Sequence, residues 1–305
     1  MDPVLAIGVV LFGLIFGSFL NVCIYRMPRG LSVTTPRSAC PECKQLIAFY
    51  DNVPVLSWLI LGGRCRHCKT PISARYLVIE LLNAALWLAC YWQFGATLAT
   101  LKYCTFSFLL LGLIFTDAET KLLPNKLTLT GLALGLIFSL IVPVNDLAAQ
   151  FLPGLLDLPL SGEMMSRLLS LIDALAGAAV GAAFIYGAGA IYLKWRGAEG
   201  MGLGDVKLMA MVGAFLGMKL TVLTIFAASL AGSLFGLATI LMVWLKRTQR
   251  FMKRLAGAQA RQRAWQSAQV VYRHYQMPFG VFLGSMAMFA FFFGSRVLRW
   301  YGGLW

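Results

Sequence analysis

The chain has 305 residues, 59% of them hydrophobic and 12% charged, with a mean hydropathy of +0.76. A soluble domain carries roughly 25% charged residues, so a disordered chain, a disulfide-stapled small domain and an ordinary soluble globule are all excluded. The net charge of +14 is gathered in blocks between apolar runs, which points to loops on one side of a membrane and not to a nucleic-acid surface.

Several apolar runs reach the ~20 residues that a helix needs to cross a bilayer. Eight membrane helices are expected, near 4–24, 77–94, 97–116, 125–142, 169–193, 206–217, 220–244 and 279–297. The sixth is short, and Gly217 and Lys219 are positioned to join it to the seventh as a tight helical hairpin. Gly177 and Gly181, like Gly232 and Gly236, have the small-xxx-small spacing that lets helix backbones approach closely. The first run has no basic segment before it and Arg26 and Arg29 after it. It reads as a retained helix, not a cleaved secretory signal.

An outside N-terminus with eight crossings puts 26–76, 117–124, 194–205 and 245–278 in the cytoplasm. Nearly all the Lys and Arg residues then lie on the cytoplasmic side, with Lys102, Arg167, Lys219, Arg296 and Arg299 as exceptions. The largest outside loop, 143–168, carries Asp146, Asp157 and Glu163 against Arg167. Two polar insertions stand out. Residues 26–76 are long enough for a small domain with an internal staple. Residues 246–277 hold eight basic residues and no acidic one, and read as a solvated helical extension or as a helix on anionic lipid headgroups.

Cys40, Cys43, Cys65 and Cys68 form two C-x-x-C pairs inside the first insertion. Two such turns can complete a thiolate tetrahedron around Zn²⁺. Lys44, Arg64, Arg66 and Lys69 stand beside them to balance the charge. Two disulfides or a redox dithiol are the other readings, and a reducing cytosol disfavours the first. A closed four-cysteine site has no open position for catalysis, so the metal is structural. Cys23, Cys90 and Cys104 lie in apolar runs, as small hydrophobes do.

An ionisable group at membrane depth is costly and points to function. Asp117 ends the third helix and Asp205 opens the sixth, at the same leaflet depth in this topology. If those helices pack together, the two carboxyls can share a proton. One then activates water while the other donates to a scissile carbonyl, which is aspartic-protease chemistry. Gly202 and Gly204 leave room for an extended substrate strand. Helix dipoles would place the shared proton on Asp117, at a helix C-terminus, and the charge on Asp205, at an N-terminus. The plainer readings are a helix cap for Asp205 and a membrane boundary for Asp117.

Taken in order, these residues resemble the type IV prepilin peptidases, also called leader peptidase/N-methyltransferases. The resemblance rests on Gly17-Ser-Phe-Leu-Asn-Val, Tyr25-Arg-Met-Pro, the C-x-x-C pairs enclosing Asn52-Val-Pro-Val-Leu-Ser-Trp-Leu, and Ile72-Ser-Ala-Arg-Tyr. The Asp117 segment, Asp173-Ala-Leu-Ala-Gly, Gly202-Leu-Gly-Asp-Val-Lys and Met277-Pro-Phe-Gly complete it. It implies a multi-pass aspartic endopeptidase of the bacterial inner membrane, with Asp117 and Asp205 as the catalytic pair. It also implies removal of a short basic leader from prepilins or pseudopilins at the cytoplasmic face, after a glycine, and methylation of the new amine from S-adenosylmethionine.

The expected fold is therefore an all-α polytopic membrane protein of about eight transmembrane helices. A small cytoplasmic zinc-ribbon-like insertion lies between helices one and two. Residues 1–25 form the first helix, 26–76 the four-cysteine domain linked to N-methylation, and 77–305 the peptidase domain with the basic loop 246–277. No nucleotide-binding glycine motif marks the methyl donor's site, and Glu80 is the one residue singled out to pair with the new amine. A proton-coupled transporter is the rival reading. It needs carboxylates at the bilayer midplane on broken helices, whereas both aspartates fall at one edge.

Overall fold

The computed structural model describes residues 2–143, 162–197, 201–252, 257–274 and 278–302. Asp2 caps the first helix by accepting from the Val4 N–H at 2.9 Å, with Pro3 at the first helical position. Helix α1 (Pro3–Arg26) is followed by the 26–76 segment, which holds the short helix α2 (Leu56–Ile60). Then come α3 (Arg75–Phe94), α4 (Leu98–Thr120), α5 (Asn125–Ile141), α6 (Gly162–Arg196), α7 (Leu203–Phe251), α8 (Gly257–His274) and α9 (Phe279–Gly302). Among the described residues there are helices and isolated bridges but no strand.

Six of these helices are long and apolar enough to cross a membrane: α1, α3, α4, α6, α7 and α9. Helix α5 is apolar but shorter, at 17 residues. Helix α7 is two helices in one, because Gly217 breaks it with φ 74° and ψ −179°. A Cβ on Gly181 would lie 2.7 Å from the Met209 carbonyl oxygen and 3.0 Å from the Thr221 side chain. Those residues would stand about 18 Å apart on a straight helix, so the chain folds back at Gly217. A left-handed φ of this kind suits glycine. With that hairpin counted as two, the described residues contain the eight expected apolar helices.

Helix α4 is the hub. Phe106, Leu110 and Leu113 are fully buried, and Phe215, Met211 and Phe291 pack around them. Tyr103 stacks on Phe94 of α3 and on Phe291 of α9 at 4.8 and 4.4 Å between ring centroids. Helices α6 and α7 run against each other, and a Cβ on Gly213 would lie 2.2 Å from the Gly177 backbone. Gly177 and Gly181 thus act as their spacing suggests. Gly232 does not: it makes ordinary contact with the rings of Phe279 and Phe282.

Helices α1 and α3 cross as tightly at Gly13 and Gly17, and polar side chains clamp the crossing. Asn21 Nδ2 donates to the Tyr76 carbonyl at 3.1 Å, and Asn83 Nδ2 to the Gly13 carbonyl at 2.7 Å. The outward faces of α1, α3 and α7 expose Phe12, Ile15, Leu81, Phe226 and Leu230, the signature of contact with lipid. Helix α8 packs along the end of α7 through a stripe of buried Ala260, Ala264 and Ala268. Within 246–277, Lys253, Arg254, Tyr275 and Met277 lie outside the described residues, as do Asp146 and Asp157 of the 143–168 loop.

Candidate functional site

The four cysteines come together. Each C-x-x-C pair forms a tight turn of the same design. The first cysteine's N–H donates five residues on, from Cys40 to Gln45 and from Cys65 to Thr70, both at 2.9 Å. Its carbonyl accepts from Lys44 in one turn and Lys69 in the other, residues that each adopt φ 59°. All four Sγ atoms lie within 4.8 Å of one another, with Cys40–Cys68 at 3.7 Å and Cys43–Cys65 at 4.0 Å. A tetrahedron with Zn–S of about 2.3 Å has S···S edges of about 3.8 Å, so the quartet fits such an ion. The Thr70 hydroxyl and backbone pull the Cys68 thiol down to about 6, whereas Cys43, despite its bond from the Gln45 backbone, is pushed up to about 11 by burial and the neighbouring thiols. Around the quartet, Arg66 binds Asp51 and lies over the Tyr50 ring.

Asp117 and Asp205 also come together. Asp117 is buried on the last turns of α4, and Asp205 is buried on the first turn of α7. Leu123 lies between them: a Cβ on Gly280, against Asp117, would sit 3.2 Å from a Leu123 methyl group, and one on Gly204, next to Asp205, 3.0 Å from its Cβ. The chain reaches this arrangement through a sharp end to α4, where Lys121 takes a left-handed conformation and its N–H caps the Asp117 carbonyl. The linker that follows packs Leu123 against the start of α7, and a Cβ on Gly204 would sit 3.0 Å from the Leu123 Cβ. Lys207 Nζ donates to Asn125 Oδ1 at 2.8 Å, tying α7 to α5. A Cβ on Gly202 would meet only the Gly204 nitrogen, at 3.8 Å. Of the two glycines, Gly202 leaves open space and Gly204 serves packing.

A third element takes part, one whose Phe279-Gly280 pair carried part of the resemblance without being given a role. The Val281 N–H, in the first turn of α9, donates to Asp117 Oδ2 at 2.9 Å. Gly280 beside it comes so close that a Cβ there would lie 2.9 Å from the same oxygen. Asp117 therefore ends one helix through its backbone and meets the N-terminus of another through its side chain. The helix-dipole argument that separated the two aspartates loses its basis, because both carboxyls face helix N-termini. The signal was present as the Phe279-Gly280 pair, but nothing local connects Val281 beside it to a residue 164 positions away.

Glu80 is tied to two neighbouring elements. Its Oε2 accepts the Val55 N–H at 2.8 Å, and Ser18 of α1 hydrogen-bonds the same carboxyl. It joins the 26–76 segment to α1 and α3. Arg75, at the start of α3, pairs with Glu119, two residues past Asp117. Asp173 is buried on α6.

Comparison with known proteins now adds a second line. Residues 11–94 match the bacterial peptidase A24 N-terminal domain, and residues 104–237 match the type IV leader peptidase family. A prepilin leader peptidase/N-methyltransferase of Aeromonas hydrophila is 31% identical over 96% of this chain and 92% of its own length. The chain belongs to the type IV leader peptidase family. A protein of the same name from Pseudomonas aeruginosa is 32% identical over 96% of this chain and 91% of its own. One from Myxococcus xanthus is 36% identical over 78% of this chain and 64% of its own. No solved structure matches. Membership makes the chain a peptidase with N-methyltransferase activity, and the cysteine quartet falls within its N-terminal unit, while both aspartates fall within the leader peptidase unit.

Proposed function

We propose that this leader peptidase cuts the short basic leader from type IV prepilins or pseudopilins after a glycine, and then methylates the new N-terminal amine. Asp117 and Asp205 are the catalytic pair. The observation that carries this reading is the meeting of two buried carboxyls from α4 and α7 at helix ends, beside the open backbone of Gly202. In the reaction one carboxylate takes a proton from water as the water oxygen attacks the scissile carbonyl carbon. The other carboxyl donates a hydrogen bond to the carbonyl oxygen, and a proton then passes to the leaving nitrogen as the C–N bond breaks. The N–H of Val281 fixes Asp117 for this work.

Zn²⁺ in the quartet of Cys40, Cys43, Cys65 and Cys68 would hold 26–76 in shape, as a structural ion with no open position. S-adenosylmethionine would supply the methyl group to the unit that contains 26–76. The excess of basic residues in 26–76 and 246–277 supports an inner-membrane orientation with the N-terminus in the periplasm and the site facing the cytoplasm. Helix α8 carries part of that charge toward anionic headgroups. The transporter reading is not favoured, since both aspartates stand at helix ends and the family is one of peptidases.

The test is incubation of the purified protein in detergent with a prepilin, with and without S-adenosylmethionine, followed by mass analysis of the pilin N-terminus. Removal of the leader in both, and one added methyl with the donor, is the expected result. An uncut prepilin would refute the peptidase assignment.

A further inference from the structure

Residues 49–60 present an apolar edge that nothing among the described residues covers. Phe49, Leu56, Leu59 and Ile60 are 79%, 58%, 57% and 78% exposed. The opposite side of the same segment is fastened inward. Ser57 Oγ donates to the Tyr50 carbonyl at 3.0 Å, and Trp58 packs on Gly63 and donates to the Ile72 carbonyl at 3.3 Å. The segment is thus two-faced, with its polar contacts satisfied on one side and large aliphatic and aromatic groups on the other.

Its depth says what meets that edge. The Val55 N–H, at the start of α2, is bonded to Glu80 of α3 at 2.8 Å. Glu80 is level with Gly17 of α1, because a Cβ on Gly17 would lie 2.7 Å from the Glu80 Cα. Gly17 stands nine residues above Arg26, the end of α1, which is about 13 Å along the helix axis. Helix α1 is about 36 Å long and the hydrocarbon core about 30 Å thick. Centred on the bilayer, the helix therefore places Glu80 about 4 Å from the midplane, well inside the hydrocarbon. Its bond holds Val55 within a side chain's reach of that depth, so the segment around Val55 crosses the boundary between acyl chains and headgroups on its way to the cysteine unit. A polar edge could sit there against water. This one is apolar, like the outward faces of the helices beside it, where Phe19 of α1 and Val78 and Leu82 of α3 are exposed.

We propose that residues 49–60 are an interfacial anchor, with Phe49, Leu56, Leu59 and Ile60 seated in the acyl–headgroup boundary of the adjoining leaflet. The mode is that of a monotopic amphipathic segment, whose apolar face enters such a boundary by about 5–10 Å. The anchor fixes the cysteine unit against the membrane in addition to its two chain connections to α1 and α3 and the Val55–Glu80 bond.

The test uses the full chain in vesicles of phosphatidylethanolamine and phosphatidylglycerol, with p-benzoylphenylalanine at position 49 or 60. Position 12, where Phe12 is exposed on a membrane helix, serves as positive control. After irradiation, mass spectrometry should find lipid adducts at all three positions, and excess prepilin should leave those at 49 and 60 unchanged. A lipid adduct at position 12 but at neither 49 nor 60, or at just one of them, would overturn the proposal. So would replacement of the lipid adducts by prepilin adducts, which would make the edge a substrate groove.

Discussion

The backbone N–H of Val281 holds a carboxylate oxygen of Asp117 at 2.9 Å. Through this bond the last turn of α4 is positioned by the first turn of α9, and Gly280 lets the two approach.

Gly280→Ala is therefore expected to impair cleavage without harming the fold. Alanine is the better helix former, so α9 itself loses nothing. The added Cβ would lie 2.9 Å from Asp117 Oδ2 and 3.2 Å from a Leu123 methyl group, and the carboxyl must move aside. Misplacement by about 1 Å can cost on the order of 100-fold. The expected result is a fall of roughly 10- to 100-fold in kcat with little change in KM. A variant with wild-type kcat would show that this contact does not position Asp117.

Glu119 follows Asp117 by two residues, but its pair with Arg75 does not hold the Asp117 carboxyl. Partly exposed ion pairs contribute about 0–1 kcal/mol. Glu119→Gln should lower stability by no more than about 1 kcal/mol in detergent unfolding, and should reduce cleavage far less than Gly280→Ala. The reverse order would shift the positioning role from α9 to α3.

One zinc per chain is expected by elemental analysis of freshly purified protein, and Cys65→Ser should lose it. Methylation should then suffer more than leader cleavage, because Asp117 and Asp205 lie outside the 26–76 unit. Metal-free wild-type protein would contradict the assignment. Equal loss of both activities would keep the metal and remove its proposed link to methylation.

Much of this architecture could be read from local pattern. Apolar length marks the six helices long enough to cross a membrane, Gly217 marks the hairpin, and the spacing of Cys40, Cys43, Cys65 and Cys68 marks one cluster. Asp117 and Asp205 stand out because charge is rare near apolar runs. What local pattern does not carry is the register between distant helices. The Val281–Asp117 bond depends on how α9 slides along α4, and the Val55–Glu80 bond on how the insertion folds back between helices. Both contacts use backbone N–H groups, which every residue but proline has, so no residue type advertises them. The dipole argument for Asp117 erred for this reason: it counted the helix that the residue ends and not the helix its side chain meets.

The most direct measurement compares wild type, Asp117→Asn and Asp205→Asn on a prepilin, with methylation of a pre-cut pilin as the control for intact folding. Neither acid–base role survives as an amide. Both variants are expected to leave the prepilin uncut while still methylating the mature pilin. Substantial leader removal by either variant would contradict the assignment of the catalytic pair.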